Sequence, residues 1–247
     1  MFQRSRSPSS SRLRRFVAAR LSPEGAAGMH LTLGILALVV AAWIFGVIAD
    51  EVSHGAPITL LDVRLANWFH ARATPGVTHA MLFITTWNSV AGVLVMAAVL
   101  GWVLFRRRLD DWLLALIAAV PGGVAVNVLM KFAFARARPV FEQPIVTLDT
   151  FSFPSGHSSG ATLFYGFLAC LLVRHVTAPG RRASIIAAAA LMVTLIGFSR
   201  IYLGAHYLTD VLAGIAEGLA WLAICITTVS TLRRRRAARG LPFWSRS

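Results

Sequence analysis

Six long apolar stretches, divided by short segments rich in arginine, constrain this chain more than any other feature. They run over residues 29–49, 77–105, 112–130, 158–173, 183–198 and 208–229. A helix rises about 1.5 Å per residue, so about 20 apolar residues cross a hydrocarbon layer about 30 Å thick. Composition agrees: 57% of the chain is hydrophobic and 14% charged, against about a quarter charged in soluble domains. The expected fold is an all-α, polytopic membrane helical bundle of about six transmembrane helices. Pro121-Gly122-Gly123 in the third stretch predicts a kink or a close helix approach.

Between the first two spans, Leu61, Leu65, Trp68 and Phe69 recur at helical spacing, with Asp62, Arg64, Asn67 and His70 on other faces. That pattern predicts an interfacial helix or a packed loop helix over residues 57–72. Residues 1–28 read as a disordered basic cytoplasmic tail, 29–230 as one membrane domain, and 231–247 as a second basic cytoplasmic tail. The formal charge of +14 does not imply nucleic acid, because the arginines cluster between spans and form no single basic face. The N-terminal tail, Arg106-Arg107-Arg108, the Arg174/Arg181/Arg182 loop and the run from Arg233 to Arg236 share one side if six spans alternate. By the positive-inside rule that side is the cytoplasm, both termini lie there, and the chain belongs in the inner membrane. Cys170 and Cys225 read as packing residues, and no Cys/His or carboxylate cluster has metal-ligand spacing.

Basic residues expected outside are few: Arg64, Arg72, Lys131, Arg136, Arg138 and Arg200. Most fall in three polar segments that alternation brings to the outer face. Lys131 to Arg138-Pro139 leaves the third span, Pro154-Ser155-Gly156-His157 opens the fourth, and Ser199-Arg200 precedes His206 and Asp210 at the last turn. Lys131, Arg138 and Arg200 would give fixed charge and several donors to phosphoryl oxygens. Ser155 and Gly156 stand where a helix begins, and exposed N–H groups there favour an anion. His206 and Asp210 share one face if the last helix has begun by His206, and the acid would then fix the imidazole tautomer. His157 is a candidate proton donor. Lys131 is the chain's only lysine, which suggests a need for a compact ammonium. Arg136 reads as an interfacial anchor, Glu217 as either functional or a packed acid, and Asn127 as a partner for Lys131. The remaining histidines, His30, His54, His70, His79 and His175, read as structural.

Together these segments resemble the type 2 phosphatidic acid phosphatase superfamily, whose signature of Lys and Arg-Pro, Pro-Ser-Gly-His, and Ser-Arg with His and Asp is matched at every position. The resemblance implies a metal-independent lipid phosphatase without cofactor, working through a phosphohistidine. In it His206 is the nucleophile, Asp210 orients it and His157 is the general acid. Lys131, Arg138, Ser155, Gly156, Ser199 and Arg200 would bind the phosphate. Expected partners are the bilayer and a lipid phosphate: a polyprenyl diphosphate such as undecaprenyl diphosphate, phosphatidic acid, phosphatidylglycerol phosphate or a lipid A phosphate. A lipid phosphotransferase using the same site and a non-enzymatic lipid-phosphate transporter are the alternatives, and the oligomeric state stays open.

Overall fold

In the computed structural model, residues 29–240 are described, and they form eight helices with no strand among them. The helices are α1 (Met29–Ser53), α2 (Ile58–His70), α3 (Pro75–Trp87), α4 (Val90–Arg106), α5 (Asp110–Phe134), α6 (Gly156–Val173), α7 (Pro179–Tyr202) and α8 (Leu208–Ala238). Five are long and apolar enough to cross a membrane, and the bent pair α3–α4 makes a sixth span if taken together. The protein is a multi-pass membrane helical bundle, as expected. The first tail assignment, 1–28, lies outside the described residues, and the second, 231–247, does so from residue 241 onward; before that α8 continues through the Arg233–Arg236 run to Ala238.

The expected second span is broken. A straight helix over its length would overshoot the hydrocarbon, and the chain instead bends by 49° between Trp87 and Val90. Asn88 and Ser89 make the break. The Asn88 amide donates back to the Ile84 carbonyl at 2.8 Å and accepts from the Tyr165 hydroxyl at 2.9 Å. Ser89 caps α4 by accepting from the Gly92 N–H at 3.1 Å.

Helix α2 sits between the first span and α3, but turned differently from its sequence pattern. Asp62 and Ala66 face inward, 1% and 2% exposed, while Leu60, Leu61, Val63 and Trp68 point outward. An inward acid reverses the simple amphipathic reading, and its reason lies in the site described below.

The main core joins α4, α5, α6 and α8 through Val93, Leu116, Leu163, Phe167 and Leu222. A smaller cluster of Ala49, Phe153 and Ala213, with Phe45 and Phe134 against it, supports the end where α1, α5 and α8 meet. Lipid tails are as apolar as leucine, so helices associate here by close van der Waals fit and small residues decide where backbones meet. Gly122 and Gly123 of α5 admit the Trp221 indole, whose N–H donates to the Ala118 carbonyl at 2.9 Å. The proline-glycine segment thus gives a close approach within a continuous α5. Gly214 and Gly218, one turn apart on α8, admit the backbone of Ser155 and Ser159. That contact seats the start of α6 beside the start of α8.

At the opposite end, Asp111 of α5 meets Arg233 of α8 at 3.1 Å and Arg174 beyond α6 at 3.8 Å. Two of the arginine clusters therefore gather at one end of the bundle, and the three polar segments lie at the other.

A Cβ on Gly214 would stand 2.5 Å from the Ser155 carbonyl oxygen. Gly214→Val should therefore destabilise the bundle by roughly 1–3 kcal/mol or more through overpacking. Gly46, with nothing within 4 Å, is the control. Thermal unfolding in detergent should show a lower midpoint for Gly214→Val and no decrease for Gly46→Ala, where alanine's higher helix propensity acts in the opposite direction; equal midpoints would overturn this packing account.

Candidate active site

The site begins where α5 stops. Ala135 takes the left-handed conformation (φ 44°) and its N–H closes on the Lys131 carbonyl at 2.9 Å. Helix propagation ends there, so Arg136 and Arg138 lie on a loop that folds back over the bundle end. Ser152 N–H fastens that loop by donating to the Arg136 carbonyl at 2.8 Å.

Lys131, Arg138 and Arg200 converge on this end with no carboxylate within ion-pair distance among the described residues; the acids nearby are taken by Arg136 and His206. Carbonyls and hydroxyls hold them instead. Lys131 Nζ donates to the Phe151 carbonyl at 2.7 Å. Arg138 Nε donates to the Thr150 carbonyl at 2.6 Å and Nη1 to the Ala205 carbonyl at 2.7 Å. Arg200, only 3% exposed, donates from Nη1 to Thr85 Oγ1 at 2.7 Å, and its Nε has no partner. Neutral acceptors aim these groups without cancelling their charge. Burial holds the Arg138 guanidinium somewhat below its ordinary value, with Asp210 opposing.

His206 lies in the turn between α7 and α8. Its N–H and that of Ala205 both donate to the Arg200 carbonyl, at 3.2 and 3.0 Å. Gly204 makes the turn possible, with φ +66° and the Phe141 ring where a Cβ would stand. Because α8 begins at Leu208, His206 is not on a helical face with Asp210 as expected. Asp210 instead reaches back to cap the helix, accepting from the Tyr207 N–H at 2.9 Å. The same oxygen, Oδ2, meets His206 Nδ1 at 3.4 Å and accepts from the Ser152 hydroxyl. Nε2 faces the other way, 3.1 Å from Arg138 Nη1. Imidazole orientation therefore puts Nδ1 on the acid and Nε2 among the cations. Burial, only partly opposed by Asp210, lowers the His206 pKa to about 3, so the ring is neutral at ordinary pH.

Pro154, cis after Phe153, leads into α6. Ser155 is its N-cap, accepting from the Ser158 N–H at 3.4 Å, while its own N–H donates to the Asp210 carbonyl at 2.9 Å. The first-turn N–H groups of Gly156 and His157 have no acceptor within the helix by geometry, and they open toward Lys131. His157 is half-buried and within electrostatic reach of Lys131, Arg138, Arg200 and His206. Ser199 is fully buried, and its hydroxyl donates to the Ile196 carbonyl at 2.7 Å, so it has no free donor to offer.

Asn127 does not partner Lys131. It donates to Glu217 Oε2 at 2.7 Å, forming a buried polar pair below the site. Arg136 is likewise no interfacial anchor: Nη1 meets Asp210 Oδ1 at 2.6 Å and Nη2 meets Asp62 Oδ2 at 2.9 Å. Sequence reasoning missed Arg136, Asp62, Ser152 and Thr85 at this site. A signal existed for Asp62, the only acid between residues 52 and 109. Nothing marked Ser152 or Thr85. No group of three or more metal-ligating side chains is found among the described residues.

A lowered His206 pKa predicts that its ring stays neutral, with the proton on Nδ1, down to about pH 5. Nitrogen-labelled histidine NMR in detergent should show this; a His206 signal titrating near the ordinary value of about 6.5 would contradict it.

A family model described as the PAP2 superfamily matches residues 112–234. Phosphatidylglycerophosphatase B of Bacillus subtilis (strain 168) is 30% identical over 182 residues, covering 73% of this chain and 89% of that one. Decaprenylphosphoryl-5-phosphoribose phosphatase of Mycobacterium tuberculosis (strain CDC 1551 / Oshkosh) is 32% identical over 148 residues, covering 59% and 76%. The crystal structure of a transmembrane PAP2-type phosphatidylglycerolphosphate phosphatase from Bacillus subtilis superimposes with a TM-score of 0.69 at 29% identity, covering 76% of this chain and 94% of that one. With the fold, the matched segment and a relative aligned over most of its length in agreement, this chain belongs to the PAP2 superfamily.

Proposed function

We propose that this protein is a lipid phosphate phosphatase that hydrolyses a phosphate monoester or diphosphate of a membrane lipid through a phosphohistidine on His206. The observation that carries this reading is the gathering of Lys131, Arg138 and Arg200, none ion-paired to an acid, at the end of the bundle that holds His206, with Arg138 Nη1 3.1 Å from Nε2. Such a site attracts a phosphoryl group and stabilises the charge that develops on its oxygens. The relatives' names point the same way, toward a glycerophospholipid phosphate or a polyprenyl-linked phosphate.

In the first step the His206 Nε2 lone pair attacks phosphorus and the bond from phosphorus to the lipid oxygen breaks. His157 gives its proton to that departing oxygen. Asp210 accepts the Nδ1–H and stabilises the cationic phosphohistidine. In the second step water attacks phosphorus, His157 takes the water's proton, the phosphorus–nitrogen bond breaks, and neutral His206 and inorganic phosphate result. Lys131, Arg138, Arg200 and the free first-turn N–H groups of Gly156 and His157 hold the phosphoryl oxygens throughout, the Ser155 N–H being spent on the Asp210 carbonyl. Ser199, its hydroxyl spent on the Ile196 carbonyl, gives the phosphate no donor.

A cavity of about 170 Å³ supports a lipid substrate, since it joins Lys131 and Gly156 to Val90, Val124 and Val128. Phosphate at its polar end and hydrocarbon along α4 and α5 would keep the apolar part in the bilayer. The arginine clusters favour a cytoplasmic location for both termini and an outward-facing site in the inner membrane.

Purified protein in mixed micelles should release inorganic phosphate from at least one of phosphatidylglycerol phosphate, phosphatidic acid and undecaprenyl diphosphate. His206→Ala should lower the rate by about 10³-fold or more. Activity should survive EDTA and be inhibited by vanadate. No release from any of these lipids, or phosphoryl transfer only when an acceptor is added, would overturn the hydrolase reading. Loss of activity to EDTA with recovery on Mg²⁺ would overturn the metal-free mechanism.

A further inference from the structure

Arg136 lies in a second set of charges beside the proposed phosphate site. Its guanidinium forks between two buried carboxylates, donating from Nη1 to Asp210 Oδ1 at 2.6 Å and from Nη2 to Asp62 Oδ2 at 2.9 Å. Nη1 also reaches Thr209 Oγ1 at 2.8 Å, and the guanidinium lies over the Tyr207 ring at 4.4 Å. Burial works against its charge, but Asp210 and Asp62 more than offset this and raise the pKa above its ordinary value. Asp62 is locked as well: Oδ1 accepts from the Thr209 N–H at 3.0 Å and Oδ2 accepts from the Thr209 hydroxyl.

The two oxygens of Asp210 have separate tasks. Oδ2 serves His206, Ser152 and the Tyr207 N–H. Oδ1 is held by Arg136 alone among the hydrogen bonds of this carboxylate. Without Arg136, one oxygen of a fully buried acid would be left unpaired, and the carboxylate could turn away from His206. Asp62 does for Arg136 what Arg136 does for Asp210. The order is therefore Asp62, Arg136, Asp210, His206, and its first member sits on α2, whose opposite face presents Leu60, Val63 and Trp68 outward.

We propose that Arg136 and Asp62 are positioning residues that fix Asp210 against His206, so that the docking of α2 on the bundle sets the alignment of the nucleophile. This rests on His206 being the nucleophile. Neither residue touches the phosphate, so their loss changes turnover and leaves anion binding intact. Lysine at position 136 would keep the charge but lack the planar fork needed to hold both carboxylates.

Steady-state hydrolysis of phosphatidylglycerol phosphate, or of the panel lipid cleaved fastest, tests this on the full-length protein, with active sites counted by vanadate titration. Arg136→Gln should lower kcat per vanadate-binding site by about 10²-fold, with KM and the vanadate inhibition constant within about three-fold of wild type. Asp62→Asn should lower kcat by about 10-fold, Arg136→Lys should fall between Arg136→Gln and wild type, and the Asp62→Asn/Arg136→Gln pair should be no worse than Arg136→Gln alone. Unchanged kcat per site in Arg136→Gln, additive losses in the pair, or losses matched by weaker vanadate binding would each overturn the proposal. If Arg136→Gln does not fold, Asp62→Asn and Arg136→Lys decide on the same criteria. Activity lost in His206→Ala but retained per site in the Arg136 and Asp62 variants would sink this inference alone; activity retained in His206→Ala would sink the nucleophile assignment beneath it.

Discussion

Three cations, Arg200 buried and Lys131 and Arg138 half-buried, gathered without an ion-paired acid are the constraint on which the rest of this structure depends. Lys131, Arg138 and Arg200 repel each other, and burying unpaired charge costs several kcal/mol per group. The protein does not remove that cost with carboxylates. It surrounds the cations with the Thr150, Phe151 and Ala205 carbonyls and the Thr85 hydroxyl. The acceptors come from three parts of the chain, so keeping them in place fixes the loop after α5, the turn before α8 and the end of α3. On the proposed reading an arriving phosphate would supply the missing negative charge, so that binding and catalytic stabilisation would arise from one arrangement.

The acids are kept near but separate. Asp210 and Asp62 direct their charge toward Arg136 and leave only one Asp210 oxygen for His206. Carboxylate and imidazole stay close enough to set a tautomer, while the acid makes no ion pair with Lys131, Arg138 or Arg200. Gly214 and Gly218 make this possible, since they let Ser155 pack its backbone against α8 and donate to the Asp210 carbonyl. Helix packing and site electrostatics are therefore one design, and a methyl group at Gly214 would disturb both.

Much of this was legible in the sequence because it follows from period and length. The apolar stretches gave the spans, and alternation alone brought Lys131, Arg138, His157, Arg200 and His206 to one end. Features set by three-dimensional competition were not legible. Asn88-Ser89 breaks a stretch whose hydropathy is continuous, because the Asn88 amide finds partners in Ile84 and Tyr165. Asp62 lies in a pattern that reads as a polar outer face, yet it turns inward because Thr209 and Arg136 complete its hydrogen bonds. His206 and Asp210 meet across a helix cap, a geometry that the same spacing disguises as a helical face. Ser152 carries no pattern of its own and is found only through the Asp210 oxygen it touches.

The central claim, that these charges present a lipid phosphate to His206 for in-line attack, is tested most directly by trapping the enzyme during turnover. Rapid acid-free quenching with a ³²P-labelled lipid phosphate, followed by peptide mass spectrometry, should find an acid-labile, alkali-stable phosphoryl group on the Nε2 of His206. Label on another residue, or label of the same yield in His206→Ala, would contradict the account.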